Sequence, residues 1–439
     1  MNATLVAPPS AAAGPVLPRL LTAIGTRRSD AVQPLDVHRE SYLAPPIPSR
    51  RPLESAIELI ESSGLRGRGG AGFPTGRKLR TVSHASSRPV VVVNGSEGEP
   101  ASRKDVLLLT RAPHLVIDGA LHVASAVAAR EVIICIERSR YDAISSIEHA
   151  ISERVRAGEP MPEIRVVGLP SRYVAGEETA LVHFINGGDA KPLLTPPRPF
   201  ERGIDGRPTL INNVETLCHL TQIMRWGSRW FRSQGTPDEP GTTLLTLSGS
   251  VARAGVCEMP VGMSMHEVIS AAGPTTEMGA VLLGGYYGTW VSAMDARWAT
   301  LDNAYLRTIG SSLGCGAMIV VPRSVCGLLE TARVLSWLAG QTAGQCGPCV
   351  HGLAAIASGM DELACGRATS RTVSLLHRWA EQVEGRGACN FPDGAVRLLR
   401  SALRVFRDDV DRHVTSGPCV AAQRPGVLAI PATTTVTWR

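Results

Sequence analysis

The sequence lacks several things that would place the protein in other classes. No apolar run approaches the roughly 20 residues that a membrane-spanning helix needs. The opening stretch, MNATLVAPPSAAAGPVLPRLL, has no basic n-region and is broken by proline, unlike an export signal. No block of Lys and Arg interleaved with aromatics occurs, although the 439 residues carry a net charge of +6, so nucleic acid is not an expected partner. The scattered arginines suit acidic small molecules or an acidic redox protein as well as a plain solvated surface. Among ten cysteines only Cys346 and Cys349 are closely spaced. Without an export signal these thiols are expected to be reduced, so clustering speaks for metal or redox chemistry more than for disulfides. These absences imply a cytoplasmic protein, free or peripheral at the inner face of the cell membrane. Residues 1–45 read as a mobile lead-in rich in Ala and Pro.

What is present is organised around residues 67–78, GRGGAGFPTGRK. Gly67, Gly69, Gly70 and Gly72 let main-chain N–H groups converge on an anion, and Arg68, Arg77 and Lys78 supply positive charge. A flat, phosphate-bearing ligand suits this loop. Gly67, Gly69 and Gly72 satisfy G-x-G-x-x-G, but the dinucleotide fingerprint needs a strand before it and a helix directly after. The preceding SAIELIESSGL has helical spacing at Ile57, Ile60 and Leu65, and Pro74 with Gly76 predict no immediate helix.

From 89 to 170, short β-branched runs alternate with helical stretches: VVVV, HLVIDGALHVASAVAAR, EVIICIE, AISSIEHAI and IRVVGLP. This βαβαβ order predicts a parallel sheet covered by helices, with a ligand site at the carboxyl ends of its strands. The acidic loop NGSEGEPASRKD follows the first strand, and SRYVAGEETALVHFINGGDAKP follows the third. In the latter, a tyrosine, a glycine and paired carboxylates suit stacking, close backbone approach and polar contacts to a flat ring or a ribose; the carboxylates equally suit a helix start. Residues 240–305 read as short strands around one helix, a small α+β module. Beyond it, Val373, Leu376, Ala380 and Val383 mark one helix, and Val396, Leu399, Leu403, Phe406 and Val410 another with Asp393 as its N-cap, giving a helical bundle. At its mouth lies QTAGQCGPCVHG, with Cys389 forty residues beyond Cys349, a spacing suited to a thiophilic metal.

In series these motifs resemble the flavoprotein, NADH-binding subunit family of respiratory NADH:quinone oxidoreductase, which includes diaphorase subunits of formate dehydrogenases and hydrogenases. The resemblance runs from about Gly64 to His413. GRGGAGFPTGRK resembles its FMN loop, with Gly67, Gly69, Gly70, Phe73 and Lys78 in place. NGSEGEP resembles N-A-D-E-S-E-P: Asn94, Glu97, Glu99 and Pro100 match, whereas Ser96 stands for an aspartate and Gly98 for a serine. Tyr173, Gly176, Glu177 and Glu178 match Y-x-x-G-E-E-T-A position by position. INNVET carries Asn212, Asn213 and Thr216 toward the flavin ribityl chain or phosphate. The module at 240–305 resembles the ubiquitin-like SLBB domain, with a spacer and docking role.

The resemblance implies an α/β, Rossmann-like FMN-binding domain over 46–235, then the small ubiquitin-like α+β (SLBB) domain, then a C-terminal helical bundle with an iron–sulfur site over 310–415 and a tail over 416–439. It implies an FMN-dependent oxidoreductase that passes electrons from NADH through FMN to an iron–sulfur cluster and on to a ferredoxin-like or thioredoxin-like iron–sulfur partner or a quinone-linked acceptor. Glu97 and Glu178 would position the nicotinamide nucleotide and the flavin. Two departures stand out. Thr195 and Arg198 replace the lysine and aromatic of K-P-P-F, which leaves open a ferredoxin or flavodoxin as donor. In E-S-C-G-x-C-x-P-C the first cysteine is Ala343, so Cys346, Cys349 and Cys389 are the metal ligands that match. A [4Fe-4S] cluster with His351, Cys315, Cys365 or a non-protein fourth ligand, a [3Fe-4S] cluster, zinc and an empty site on a non-catalytic scaffold all remain open. Cys135, Cys218 and Cys257 read as buried small hydrophobes.

Overall fold

The computed structural model describes residues 19–21, 32–41, 53–85, 87–432 and 437–439. Four helices, α1 (Leu35–Ser41), α2 (Leu53–Ser63), α3 (Thr75–Ser83) and, after β1 (Val90–Gly95), α4 (Lys104–Arg111), surround the start of the first sheet. The chain continues through α5 (Pro113–Ala126), β2 (Glu131–Glu137), α6 (Tyr141–Arg156), β3 (Glu163–Leu169), α7 (Glu178–Ile185), β4 (Thr209–Asn213) and α8 (Val214–Trp226). The strands form a parallel sheet of order β3-β2-β1-β4. Val90 to Val93 alternate between two cores: Val91 and Val93 pack toward α5 and α8, and Val90 and Val92 toward α7. A strand apolar on both faces is what a covered parallel sheet requires. β1, β2 and β3 fall where the sequence places them. β4 is an addition to the expected set, and it lies on the far side of β1 from β2, so the strand order reverses between β1 and β4.

The second sheet is mixed, of order β6-β5-β9-β7-β8, from β5 (Thr242–Gly249), β6 (Gly255–Pro260), β7 (Met278–Leu283), β8 (Thr289–Ser292) and β9 (Ala317–Pro322), with α9 (Met265–Ala272) against it. The module therefore runs to Pro322, because β9 sits between β5 and β7. The helical region comprises α10 (Gly327–Gly340), a π-turn at Pro348–Leu353, α11 (Ala354–Ala364), α12 (Ser370–Val383), α13 (Phe391–Val405) and α14 (Arg407–Ser416). Asp393 is not the N-cap of α13. The helix starts at Phe391 and Asp393 accepts the Gly385 N–H at 2.8 Å. Trp290 ties module to bundle, its N–H to Ser401 Oγ at 3.0 Å and its indole N–H to Thr331 Oγ1 at 2.9 Å.

The lead-in is structured where it is described. Leu20 and Leu21 are buried and donate their N–H groups to Glu258 at 2.7 and 3.2 Å. His38 on α1 meets Asp118 on α5 at 2.8 Å, and Asp118 also pairs with Arg154 at 2.7 Å. The rest of that expectation falls outside the described residues. No single described helix is long and apolar enough to cross a membrane; α4 with α5 passes by length and composition, bent by 97°, and α5 is almost wholly buried in the core.

Candidate functional site

The glycine loop is a helix–loop–helix connection. Gly67 N–H donates to Phe73 O and Thr75 N–H to Leu65 O, both at 2.9 Å, so residues 66–74 close on themselves. Contrary to expectation α3 begins at Thr75 with Pro74 as its N-cap. Proline has no N–H to lose there and its fixed φ suits a helix entry, so it starts this helix and does not break it. Gly70 lies at φ +110, beside the Gly314–Cys315 backbone, a conformation that only glycine adopts without strain.

Four segments meet where β1 and β4 end, the topological switch point of the sheet, where open parallel sheets bind ligands. Asn94 and Asn213 are direct partners across the β1–β4 ladder. Arg68 N–H donates to Thr216 Oγ1 at 2.8 Å, joining the glycine loop to the start of α8. Lys78 Nζ reaches Glu178 and donates to Ile211 O at 2.7 Å, joining α3, α7 and β4. Asn94 Nδ2 donates to Gly176 O at 2.8 Å, while its Oδ1 accepts from Ser96 Oγ at 2.9 Å. A Cβ at Gly176 would collide with Ser96 Oγ, so this close approach needs glycine. Gly67, Gly69, Gly70, Lys78, Asn94, Ser96, Gly176, Glu178, Asn212, Asn213 and Thr216 are thus brought together. Phe73 stands half exposed at the end of the loop.

The carboxylates divide by role. Glu97, at φ 37, accepts from Asp105 N at 3.0 Å, Val106 N at 2.8 Å and Ser102 Oγ at 2.5 Å, and so closes the amino end of α4. Glu177 caps α7, accepting from Thr179 N and Ala180 N at 3.0 Å. Glu99 is buried and receives the Tyr173 hydroxyl at 3.1 Å and the Tyr286 N–H at 3.0 Å. Burial pushes its carboxyl from an ordinary 4.5 to about 7, against the pull of those donors. The folded chain therefore holds a proton that the unfolded chain releases, and stability falls as pH rises from about 4.5 to about 7. Glu99→Gln is expected to flatten that slope by on the order of 2 kcal/mol; urea midpoints at pH 5 and 7.5, compared between wild type and variant, measure it.

Sequence reasoning missed a buried ion network behind the site. Lys104 Nζ lies 2.9 Å from Asp105 Oδ1 and 3.0 Å from Glu215 Oε2. Asn213 Nδ2 donates to Asp105 at 2.6 Å and its Oδ1 caps α8 through Glu215 N–H at 3.0 Å. Burial disfavours the Lys104 charge, but the two carboxylates outweigh it and hold the ammonium well above the usual lysine range. Burial also opposes the Glu215 charge, and Lys104 still draws that carboxyl down to about 2. Asp105, dominated by its burial, is pushed up to about 6.

Cys346, Cys349 and Cys389 line one pocket with Val174, Pro192, Ala343 and Phe391, enclosing ≈ 280 Å³ with some open solvent. Cys349 enters through the π-turn, its N–H donating to Cys346 O at 3.2 Å, a local irregularity often found at functional sites. Ala343 forms part of the wall where a fourth thiol is expected, and His351, Cys315 and Cys365 do not line it. Burial pushes the Cys349 and Cys389 thiols up, so metal binding there must displace protons. Cys135, Cys218 and Cys257 are buried and free.

Both donor sets fit their groups. Asn212 Nδ2 is buried in β4 with no hydrogen-bond partner among the described residues, an N–H donor that a flavin hydroxyl or phosphate would satisfy. Three thiols in a wall otherwise apolar but for Gln345 match the ligand chemistry of iron–sulfur clusters. Residues 60–222 match the Nuo51 FMN-binding domain, and residues 322–413 the NADH-ubiquinone oxidoreductase-F iron–sulfur binding region. Fold and site together define an oxidoreductase with FMN and an iron–sulfur cluster as cofactors and NADH as substrate. The chain belongs to the family of F-type subunits of NADH-quinone oxidoreductase. It is 33% identical over 380 residues to an F-type subunit of the NADH-quinone oxidoreductase of Rhizobium meliloti, covering 83% of this chain and 90% of that one. It is 31% identical over 399 residues to the corresponding F-type subunit of Mycobacterium bovis, covering 86% and 88%. The crystal structure of an NAD+-reducing [NiFe]-hydrogenase in the H2-reduced state superposes with a TM-score of 0.78 at 28% identity, over 91% of this chain and 67% of that one.

Proposed function

We propose that this chain is the NADH-oxidising subunit of a multi-subunit electron-transfer complex and that an iron–sulfur subunit, ferredoxin-like or thioredoxin-like, takes its electrons. Bound FMN supplies the exchange between a hydride pair and single electrons, and the cluster supplies one-electron carriage. The backbone of Gly67, Gly69 and Gly70 with Lys78 receives the flavin phosphate. Asn94, Ser96, Asn212, Asn213 and Thr216 grip the ribityl chain, and Tyr173, Gly176 and Glu177 bound the ring. Phe73 and Glu178 face the nicotinamide, while Glu97 acts as a positioning residue through its cap on α4. Thr195 and Arg198 lie in an exposed loop between α7 and β4.

One observation carries the reading: the two sites share a wall. Val174 lines the thiol pocket one residue from Tyr173, and the Tyr173 ring lies 5.5 Å from that of Phe391, which also lines the pocket. Anaerobic titration of the purified protein tests the reading. Stoichiometric NADH is expected to bleach the flavin band and then the cluster band; bleaching by dithionite alone would remove NADH as donor.

Ala343 sets a second expectation. A cluster held by Cys346, Cys349 and Cys389 has one iron without a protein thiolate. Mild oxidation of wild type is therefore expected to give the paramagnetic [3Fe-4S] signal, and Ala343→Cys to suppress it. Equal yields in both would show that this wall does not face the cluster. The two curated relatives named above are subunits, which supports attachment of this chain to partner subunits in a complex.

A further inference from the structure

Away from both sites, the fold gathers three metal-ligand side chains. Cys326 Sγ, His413 Nε2 and Cys419 Sγ all lie within 4.8 Å of one another. Cys326 is the N-cap of α10, His413 lies in the last turn of α14, and Cys419 follows the turn at Gly417 and Pro418. Cys326 is 3% exposed and His413 is fully buried. Burial pushes the Cys326 thiol up, and the backbone N–H groups of Leu329 and Leu328 at the sulfur offset this only in part, so a metal there must displace the proton. His413 Nδ1 lies 2.9 Å from Leu363 O. A carbonyl can only accept, so Nδ1 carries the proton and Nε2 presents its lone pair to the sulfurs, which is how a second-shell carbonyl orients a metal-bound imidazole.

The geometry points to a zinc site formed by Cys326, His413 and Cys419, with water completing the tetrahedron. Zn–S near 2.3 Å and Zn–N near 2.0 Å at tetrahedral angles put sulfur and nitrogen about 3.5 Å apart. The Cys326 Sγ to His413 Nε2 distance is 3.9 Å. Two thiolates and an imidazole select a borderline-soft divalent ion such as zinc. On binding, the Cys419 N–H···Nε2 hydrogen bond of 3.1 Å gives way to the metal bond, and both thiol protons leave to solvent. The ion would clasp the start of the segment after α14, whose Leu428 N–H is held by Glu330 at 3.2 Å.

The test uses the full chain purified anaerobically without chelator, with zinc and iron counted by mass spectrometry and zinc ligation read by X-ray absorption. About one zinc per chain is expected, bound by two sulfurs and one imidazole nitrogen. Cys419→Ser, on a half-buried segment, is expected to weaken zinc binding at least tenfold while iron stays. Cys346→Ser is expected to do the reverse. Zinc absent with Cys326 and Cys419 both titrating as free thiols would overturn the site. So would a Cys326–Cys419 disulfide in the peptide map, zinc retained by Cys419→Ser, or zinc lost with Cys346→Ser. Should Cys419→Ser fail to fold, Cys419→Ala gives the same reading at this half-buried thiol.

Discussion

Cys346→Ser is expected to strip the iron and sulfide from the protein while leaving its FMN and the bleaching of that flavin by NADH unchanged. The effect is large because this pocket starts with three thiols and Ala343, and a serine leaves two. A cluster normally draws on four cysteine sulfurs, so a site already one short has no reserve. Transfer to an iron–sulfur protein acceptor is expected to fall to about one hundredth of wild type or lower. Stopped-flow reduction of the flavin, run beside iron counting and low-temperature paramagnetic resonance, separates the two halves of the protein. A variant that keeps its iron would place the cluster elsewhere.

Lys104→Met is expected to be the most destabilising single change near the flavin site. The methionine fills the space of the lysine stem but leaves Asp105 and Glu215, both buried, facing each other without their cation. Removing one partner from a buried ion network costs roughly 3–5 kcal/mol, because the remaining charge has neither water nor counter-ion. Asn213, which holds Asp105 and caps α8, shifts with it, so flavin content is expected to fall together with the urea midpoint. Asp105→Asn in the same background is expected to recover part of the loss by removing one of the stranded charges. If Lys104→Met alone left both midpoint and flavin content unchanged, the network would contribute nothing.

Much of this is legible in the residues, for reasons that differ by segment. The runs VVVV and EVIICIE are apolar on both faces, a pattern only a covered parallel sheet explains, and β1 and β2 lie there. β4 is not legible. TLINN is short, follows a proline-rich loop and becomes a strand through pairing with β1, a tertiary cause that no local pattern records. Lys104 and Asp105 close the acidic loop NGSEGEPASRKD, and their burial depends on Glu215, distant in sequence. The glycine loop announces an anion site, but Pro74 misleads, since proline ends a helix from within and begins one from its cap. The clustering of Cys326, His413 and Cys419 has no spacing signal, because α10 and α14 meet only in the folded bundle.

The reversal of strand order between β1 and β4 also governs the order of events during synthesis. β1 emerges from the ribosome with β2 and β3 soon behind it, but its other edge stays unpaired until Thr209–Asn213 arrives. Until then the nascent domain exposes a valine-rich edge, the kind of surface that chaperones shield and that aggregates when they do not. Asn212 and Asn213 come with the closing strand, so on the proposed assignment of these residues FMN capture would be the last step in building this domain. A ribosome stalled before Thr209 would release a polypeptide unable to retain flavin.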